Sequence, residues 1–117
     1  MINTIANQLV TLLRQKRFLE AQETLFASEA VSLEPEFNKE RSTFGLEAMT
    51  TKEKRFLANI KQWNHFEVSD PLISKNHFII HMITDVILKN NDNIHIDEII
   101  IYEVDNNKII KEQFFYR

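Results

Sequence analysis

With 117 residues and 13.9 kDa the chain has the size of one domain, and 44% apolar with 26% charged residues is a globular rather than a disordered composition. A net charge of −3 lacks the basic footprint of a nucleic-acid binder, and no apolar run approaches the roughly 20 residues of a membrane-spanning helix. The absence of cysteine removes disulfides, thiolate metal sites and thiol catalysis; with no leader-like pattern at Met1–Thr4, this gives the expectation of a cytoplasmic protein forming one domain over residues 1–117.

Ile2, Ile5, Leu9, Leu12 and Leu13 recur at three- and four-residue spacing and predict a first helix, capped by Asn3 or Thr4. A short second helix is predicted over 17–27, with Phe18, Leu19, Leu25 and Phe26 on its apolar side. Val31-Ser32-Leu33-Glu34 alternates like a strand, and Pro35 ends it. Residues 36–43 read as a polar loop. A third helix is predicted over 45–62 with Leu46, Met49, Phe56, Leu57 and Ile60 on one side; a capping box at Thr50–Glu53 would start it late. From Asn64 onward the chain is rich in Ile, Val, Phe and Tyr, and strands are predicted over 64–69, 77–88, 94–104 and 108–116. Asp70-Pro71, Asn90–Asn93 and Asp105–Asn107 separate them, and with one glycine and two prolines the eleven asparagines carry much of the turning. Helices followed by a meander of long strands is an α+β pattern: three N-terminal helices packed on one face of an antiparallel sheet.

Strand alternation divides the sheet into two faces. Centring the last turn so that Val104 faces Lys108, and the preceding one on Asn91, sets the hairpin registers. One face then carries Phe78, Ile80, Met82, Thr84, Val86, Ile96, Glu98, Ile100, Tyr102, Val104, Ile110, Glu112, Phe114 and Tyr116. This mostly apolar face is expected under the helices. Glu98 and Glu112 stand on it, diagonally related, with Thr84, Tyr102 and Tyr116 near. Carboxyls on a buried face imply a cavity admitting water or ligand and a raised pKa, unless tyrosine hydroxyls or backbone donors simply hold them. The other face carries Ile79, Ile83, Ile99, Ile101, Ile109 and Phe115 among charged neighbours, which suggests a homodimer contact.

Leu25-Phe26-Ala27-Ser28-Glu29-Ala30-Val31-Ser32-Leu33-Glu34-Pro35, the helix start Gly45-Leu46-Glu47-Ala48-Met49 and the closing run Glu103 to Tyr116 resemble the SnoaL-like branch of the nuclear transport factor two-like superfamily, the cystatin-like α+β cone. The resemblance covers nearly the whole chain. It implies a curved sheet and helices forming a cone with a pocket open at one end. Members include ketosteroid isomerase, polyketide cyclases, dehydratases and epoxide hydrolases, so fold alone does not give the reaction. Glu34-Pro35 falls where the isomerase has an Asp-Pro whose carboxylate is the general base. The first helix has no tyrosine to serve as oxyanion donor, and Ile100 falls where the isomerase has its protonated acid, which argues against steroid isomerisation. SnoaL-type cyclases use a carboxylate acid/base in the same cavity, a role open to Glu98 or Glu112. Phe114 and Tyr116 fall where the family lines its pocket with aromatics.

Other chemistries are poorly supported. His77 and His81 share a face but lie roughly 13 Å apart along a strand, too far to share a zinc ion. No phosphate-binding glycine loop is present. Lys52, Lys54, Arg55 and Lys61 read as the solvated side of the third helix, and Trp63 as a plug at its end or part of the pocket rim. Two functions remain. One is a small-molecule-binding protein, without a required cofactor or metal, in which Glu34, Glu98 or Glu112 supplies acid/base chemistry and Tyr102, Phe114, Tyr116, Met82 and Thr84 line the pocket. Turnover would then be isomerisation, cyclisation, dehydration or hydrolysis. The other is a non-catalytic homodimeric interaction domain whose pocket is filled by its own side chains. Neither requires nucleic acid or membrane.

Overall fold

The structure, a computed structural model, describes residues 1–117. The first helix, α1 (Ile2–Arg14), buries Ile5, Ala6, Leu9, Val10 and Leu13 as the apolar spacing requires. Its cap is Met1, earlier than Asn3 or Thr4. It ends in a paired backbone closure: Lys16 N–H bonds Leu13 O at 2.8 Å and Arg17 N–H bonds Leu12 O at 2.9 Å, with Lys16 left-handed at φ 57°. That turn launches α2 (Phe18–Leu25) directly.

The second helix stops two residues before the predicted end. Phe26 is extended at φ −95°, ψ 144°, and opens β1 (Phe26–Leu33). Leu25 and Phe26 satisfy either periodicity; pairing of Phe26 with Ile109 decides for strand. The loop then contains a short strand, β2 (Ser42–Phe44), paired antiparallel to β1. Gly45, at φ 90° and ψ 145°, turns the chain into α3 (Leu46–Ala58). No capping box starts this helix late: Thr50 and Thr51 donate their hydroxyls back to Glu47 O, both at 2.9 Å.

Helix α3 ends four residues before the predicted Gln62, so Lys61 and Trp63 belong to β3 (Ile60–Val68). The error has a clear origin. Register shifts between Ile60 and Gln62 and between Trp63 and His65 space the inward residues Ile60, Trp63 and Phe66 three apart, which imitates a helix. Two-residue β4 (Leu72–Ile73), β5 (His77–Leu88), β6 (Asn93–Asp105) and β7 (Lys108–Phe115) complete the sheet. Its order is β2-β1-β7-β6-β5-β3, with β4 paired to β5. The sheet is curved and unclosed, and mixed rather than antiparallel, because β1 runs parallel to β7.

Both hairpin registers differ from expectation by two residues: Met82 faces Glu98, Ile80 faces Ile100, and Tyr102 faces Glu112. An even slip preserves the faces, so the inner face is nearly as derived. One exchange occurs. A two-residue turn at Asn106 and Asn107, both left-handed, pairs Val104 with Ile109, and an irregularity before Glu103–Lys111 absorbs Ile110. Ile109 is therefore fully buried and Ile110 leaves the inner row. Helices α1 and α2 cover this face around Phe78, Ile80, Ile100 and Tyr102. No helix of the chain is long and apolar enough to cross a membrane.

Candidate functional site

The helices roof the inner face of the sheet without filling the space beneath. A cavity of about 350 Å3 remains, lined mainly by apolar side chains. That is a volume typical of small-molecule sites. Toward the β3 edge its wall is aromatic: Phe18 stacks on Trp63 at 5.9 Å between ring centroids, and Phe66 meets both edge-on at 5.5 and 5.4 Å. Trp63 is thus both packed against the core and part of the cavity wall, with Lys16 Nζ 4.5 Å above its ring.

The remaining wall is acidic. Glu34 follows β1, Glu53 projects from α3, Glu98 from β6 and Glu112 from β7, and all four line the cavity. The ammonium of Lys52 accompanies them, 3.8 Å from Glu34 Oε1. Ser32 Oγ donates to Glu112 Oε1 at 3.0 Å, linking β1 and β7 inside the cavity. Tyr116 OH donates to Glu34 Oε2 at 3.5 Å and accepts from Asn38 Nδ2 at 3.3 Å.

Burial sets the protonation of this group. It pushes Glu98 up to about 8, reinforced by the charges of Glu34 and Glu112; no hydrogen bond opposes it. Burial likewise lifts Glu112 to about 8, against the Ser32 hydrogen bond, with Glu53 and Glu34 adding to the rise. Glu53 rises to about 7 through burial, opposed by Lys52. Glu34 is raised by burial too, but Lys52 and the Tyr116 hydroxyl restrain it. Tyr102, buried beside Glu112 and Glu98, is pushed well above its ordinary value. At neutral pH the wall therefore holds neutral carboxylic acids at Glu98 and Glu112, which can donate a proton, and at Glu34 the carboxyl best placed to accept one.

Glu34, Glu98, Glu112, Tyr102, Phe114, Tyr116, Met82 and Thr84 all lie on the wall of this one cavity. The sequence reading missed Glu53, Ser32 and Gln22, and it placed Lys52 on the solvated side of α3. Helical spacing from the buried Met49 held the missing signal: Lys52 and Glu53 are its i+3 and i+4 neighbours and share its side. Gln22 is buried in α2, lines the cavity, and leaves Oε1 without a hydrogen-bond partner.

The four histidines lie outside the cavity. Each has a carboxylate neighbour: His65 with Glu67 at 2.6 Å, His77 with Glu103 at 3.7 Å, His81 with Asp97 at 2.6 Å and His95 with Asp85 at 3.3 Å. Nowhere do three or more His, Asp or Glu side chains converge as ligands for a metal ion.

The family profile described as SnoaL-like domain matches residues 1–116. No curated protein matches the chain in sequence. Among solved structures, a Mesorhizobium loti protein described as a candidate SnoaL-like polyketide cyclase is similar at 27% identity and TM-score 0.91, covering 99% of each chain. A Xanthomonas campestris protein of unknown function with a cystatin-like fold is similar at 11% identity and TM-score 0.78, over 97% of this chain and 88% of that one. A Catenulispora acidiphila protein with a ketosteroid isomerase-like fold, in complex with trimethylamine, is similar at 17% identity and TM-score 0.68, over 84% and 74%.

Proposed function

The chain belongs to the SnoaL-like domain family, and from that membership and the cavity we propose that it binds a small, largely apolar molecule and acts on it by acid/base chemistry. The observation that carries this reading is a cavity of about 350 Å3 with four carboxyl groups on its wall. A domain that filled its own pocket would have no reason to bury them, because an unpaired buried acid destabilises the fold.

The roles follow from the environments. Glu34, restrained by Lys52 and Tyr116, is the base and takes a proton from a carbon beside a carbonyl. Glu98 or Glu112, neutral at pH 7, donates to the carbonyl oxygen as charge develops there. Returning the proton to another carbon completes isomerisation, and expelling a leaving group completes elimination. Cyclisation is completed when the enol carbon bonds to a second carbonyl carbon of the same molecule, whose oxygen takes the proton from Glu34 while the enol proton returns to the acid. Tyr102, Phe114, Tyr116, Met82 and Thr84 shape the pocket around the reacting centre.

Thermal unfolding with a panel of amphipathic ketones and lactones tests the pocket. A ligand at 100 times its dissociation constant stabilises by about 2.7 kcal/mol, several degrees for a domain of this size. Glu34→Gln should keep binding while abolishing exchange of the ligand's α-hydrogen with deuterated water, read by NMR. A panel that leaves the midpoint unmoved, or exchange that survives Glu34→Gln, defeats the corresponding half of the reading.

We also propose that two copies pair through the outer sheet face. Ile99 and Phe115 stand 40% and 46% exposed there, beside half-buried Ile79, Ile83 and Ile101. Light scattering should return about twice the 13.9 kDa chain mass, and Ile99→Lys should halve it; one chain mass for the unaltered protein would refute the pairing.

A further inference from the structure

The cavity wall holds more ionisable acids than cations and leaves one acceptor without a donor, and both features suit the same kind of ligand. Four carboxyl groups from four elements, Glu34, Glu53, Glu98 and Glu112, face one internal cation, Lys52. Lys52 lies nearest Glu34, 3.8 Å away, and its charge only partly offsets the burial of Glu53 and Glu112. Independently, Gln22 is 8% exposed, lines the same cavity and has a buried Oε1 with no donor. Buried acceptors in folded proteins are nearly always satisfied, so an orphan on a cavity wall marks a place for a ligand's N–H or O–H.

An anion entering this space meets carboxyl groups that its own charge would force to stay protonated. A neutral molecule gains no ion pair from the buried acids. A cation lets an acid ionise against it in a low-dielectric enclosure, where such a pair is much stronger than in water. The body of the ligand then extends over Phe18, Trp63 and Phe66, whose ring faces and edges suit an apolar or aromatic group and tolerate positive charge nearby.

We propose that the pocket is built for an amphipathic organic amine, whose protonated nitrogen sits among Glu53, Glu98 and Glu112 and donates to Gln22, with its apolar body toward the aromatic wall. This rests on the reading of the cavity as a ligand pocket and specifies its ligand class. One ammonium balances one carboxylate. Repulsion between like charges keeps a second acid protonated, so a proton donor remains for chemistry on the rest of the molecule. Binding is therefore coupled to proton release: an acid that is neutral in the empty cavity ionises when the amine arrives. The titratable groups that set this coupling are Glu34 beyond β1, Lys52 and Glu53 on α3, Glu98 and Tyr102 on β6, Glu112 on β7 and Tyr116 just beyond it.

Three probes with one carbon skeleton separate the possibilities: 3-phenylpropylamine, 3-phenylpropan-1-ol and 3-phenylpropanoate, titrated calorimetrically at pH 7 in two buffers of different ionisation enthalpy. The amine should bind at least ~10-fold more tightly than the alcohol, a difference of about 1.4 kcal/mol, and the carboxylate should not bind. The amine's heat should depend on the buffer, reporting release of a proton, and the alcohol's should not. Glu98→Gln with Glu112→Gln should bring amine and alcohol within ~2-fold of each other; Glu53→Gln alone should narrow the gap if that double variant fails to fold. Gln22→Leu should weaken the amine several-fold. Equal or tighter binding of the alcohol or the carboxylate overturns the amine proposal and leaves the pocket standing. No binding by any probe, with the fold intact, overturns the amine proposal, and a blank carbonyl panel as well would overturn the pocket.

Discussion

The carboxyl groups carry most of the functional argument, and they were only partly visible in the sequence. Glu98 and Glu112 declared themselves by standing in the apolar row of alternating strands, and Glu34 by its resemblance to a known catalytic position. Glu53 did not, because a Lys-Lys-Arg neighbourhood suggested a solvated helix face; one turn from Met49 it points inward instead. Gln22 was hidden for another reason. In a short helix an amide among Ala21 and Leu25 gives no sign of which side the roof buries. The Ser32–Glu112 bond makes a residue-level prediction. Ser32→Ala removes the hydroxyl that restrains Glu112, so the carboxyl should titrate above its present value of about 8. NMR titration of the labelled carboxyl carbon reads this directly, and a fall or no change would show that the bond does not favour the ionised form. The accompanying loss of stability should be about 1 kcal/mol, the usual worth of a buried hydrogen bond.

At the level of elements, alternation located β5, β6 and β7 almost to the residue, because their pleat is regular along most of their length. It failed at β3, where bulges every few residues replace the two-residue period with three. It also shortened β1, whose first residues sit at the end of a helix and look helical. Those irregular strands bend the sheet; β3 supplies Trp63 and Phe66 to the aromatic wall and β1 leads into Glu34, so part of the site rests on the least legible elements. Helix α3 depends on the sole glycine. Gly45 occupies φ 90°, ψ 145°, a conformation that side chains resist, and an added Cβ would meet nothing closer than Ser28 O at 3.8 Å. Gly45→Ala therefore tests backbone strain alone. It should lower stability by about 1–3 kcal/mol in chemical denaturation, and it should weaken ligand binding through Lys52 and Glu53. An unchanged midpoint would mean that the chain relaxes around the alanine.

For the molecule as a whole, the buried acids set an unusual dependence on pH. Glu53, Glu98 and Glu112 titrate at about 7, 8 and 8 in the native protein, against 4.5 as the ordinary value. Between those limits the folded chain holds protons that the unfolded chain has released. Their contribution to stability is complete below about pH 4.5, fades as the pH climbs, and is gone above about 8. The melting temperature should fall steadily from pH 5 to pH 8, and Glu98→Gln should melt higher than the parent at pH 8 by several degrees. A melting temperature that rises over this interval would mean that the acids are not buried as described. What no pattern in the sequence revealed is which strands meet. The parallel pairing of β1 with β7 joins Ser32 to Glu112 across 80 positions of chain, and it places the last strand between β1 and β6, inside the sheet rather than at its rim. During synthesis on the ribosome, the helices and β1 emerge first and wait with one flank open until β7 clears the exit tunnel. A product terminated before β7 loses an inner stave of the cone together with one of its acids, and such a fragment should be handed to chaperones and proteases instead of lingering in a weakened form.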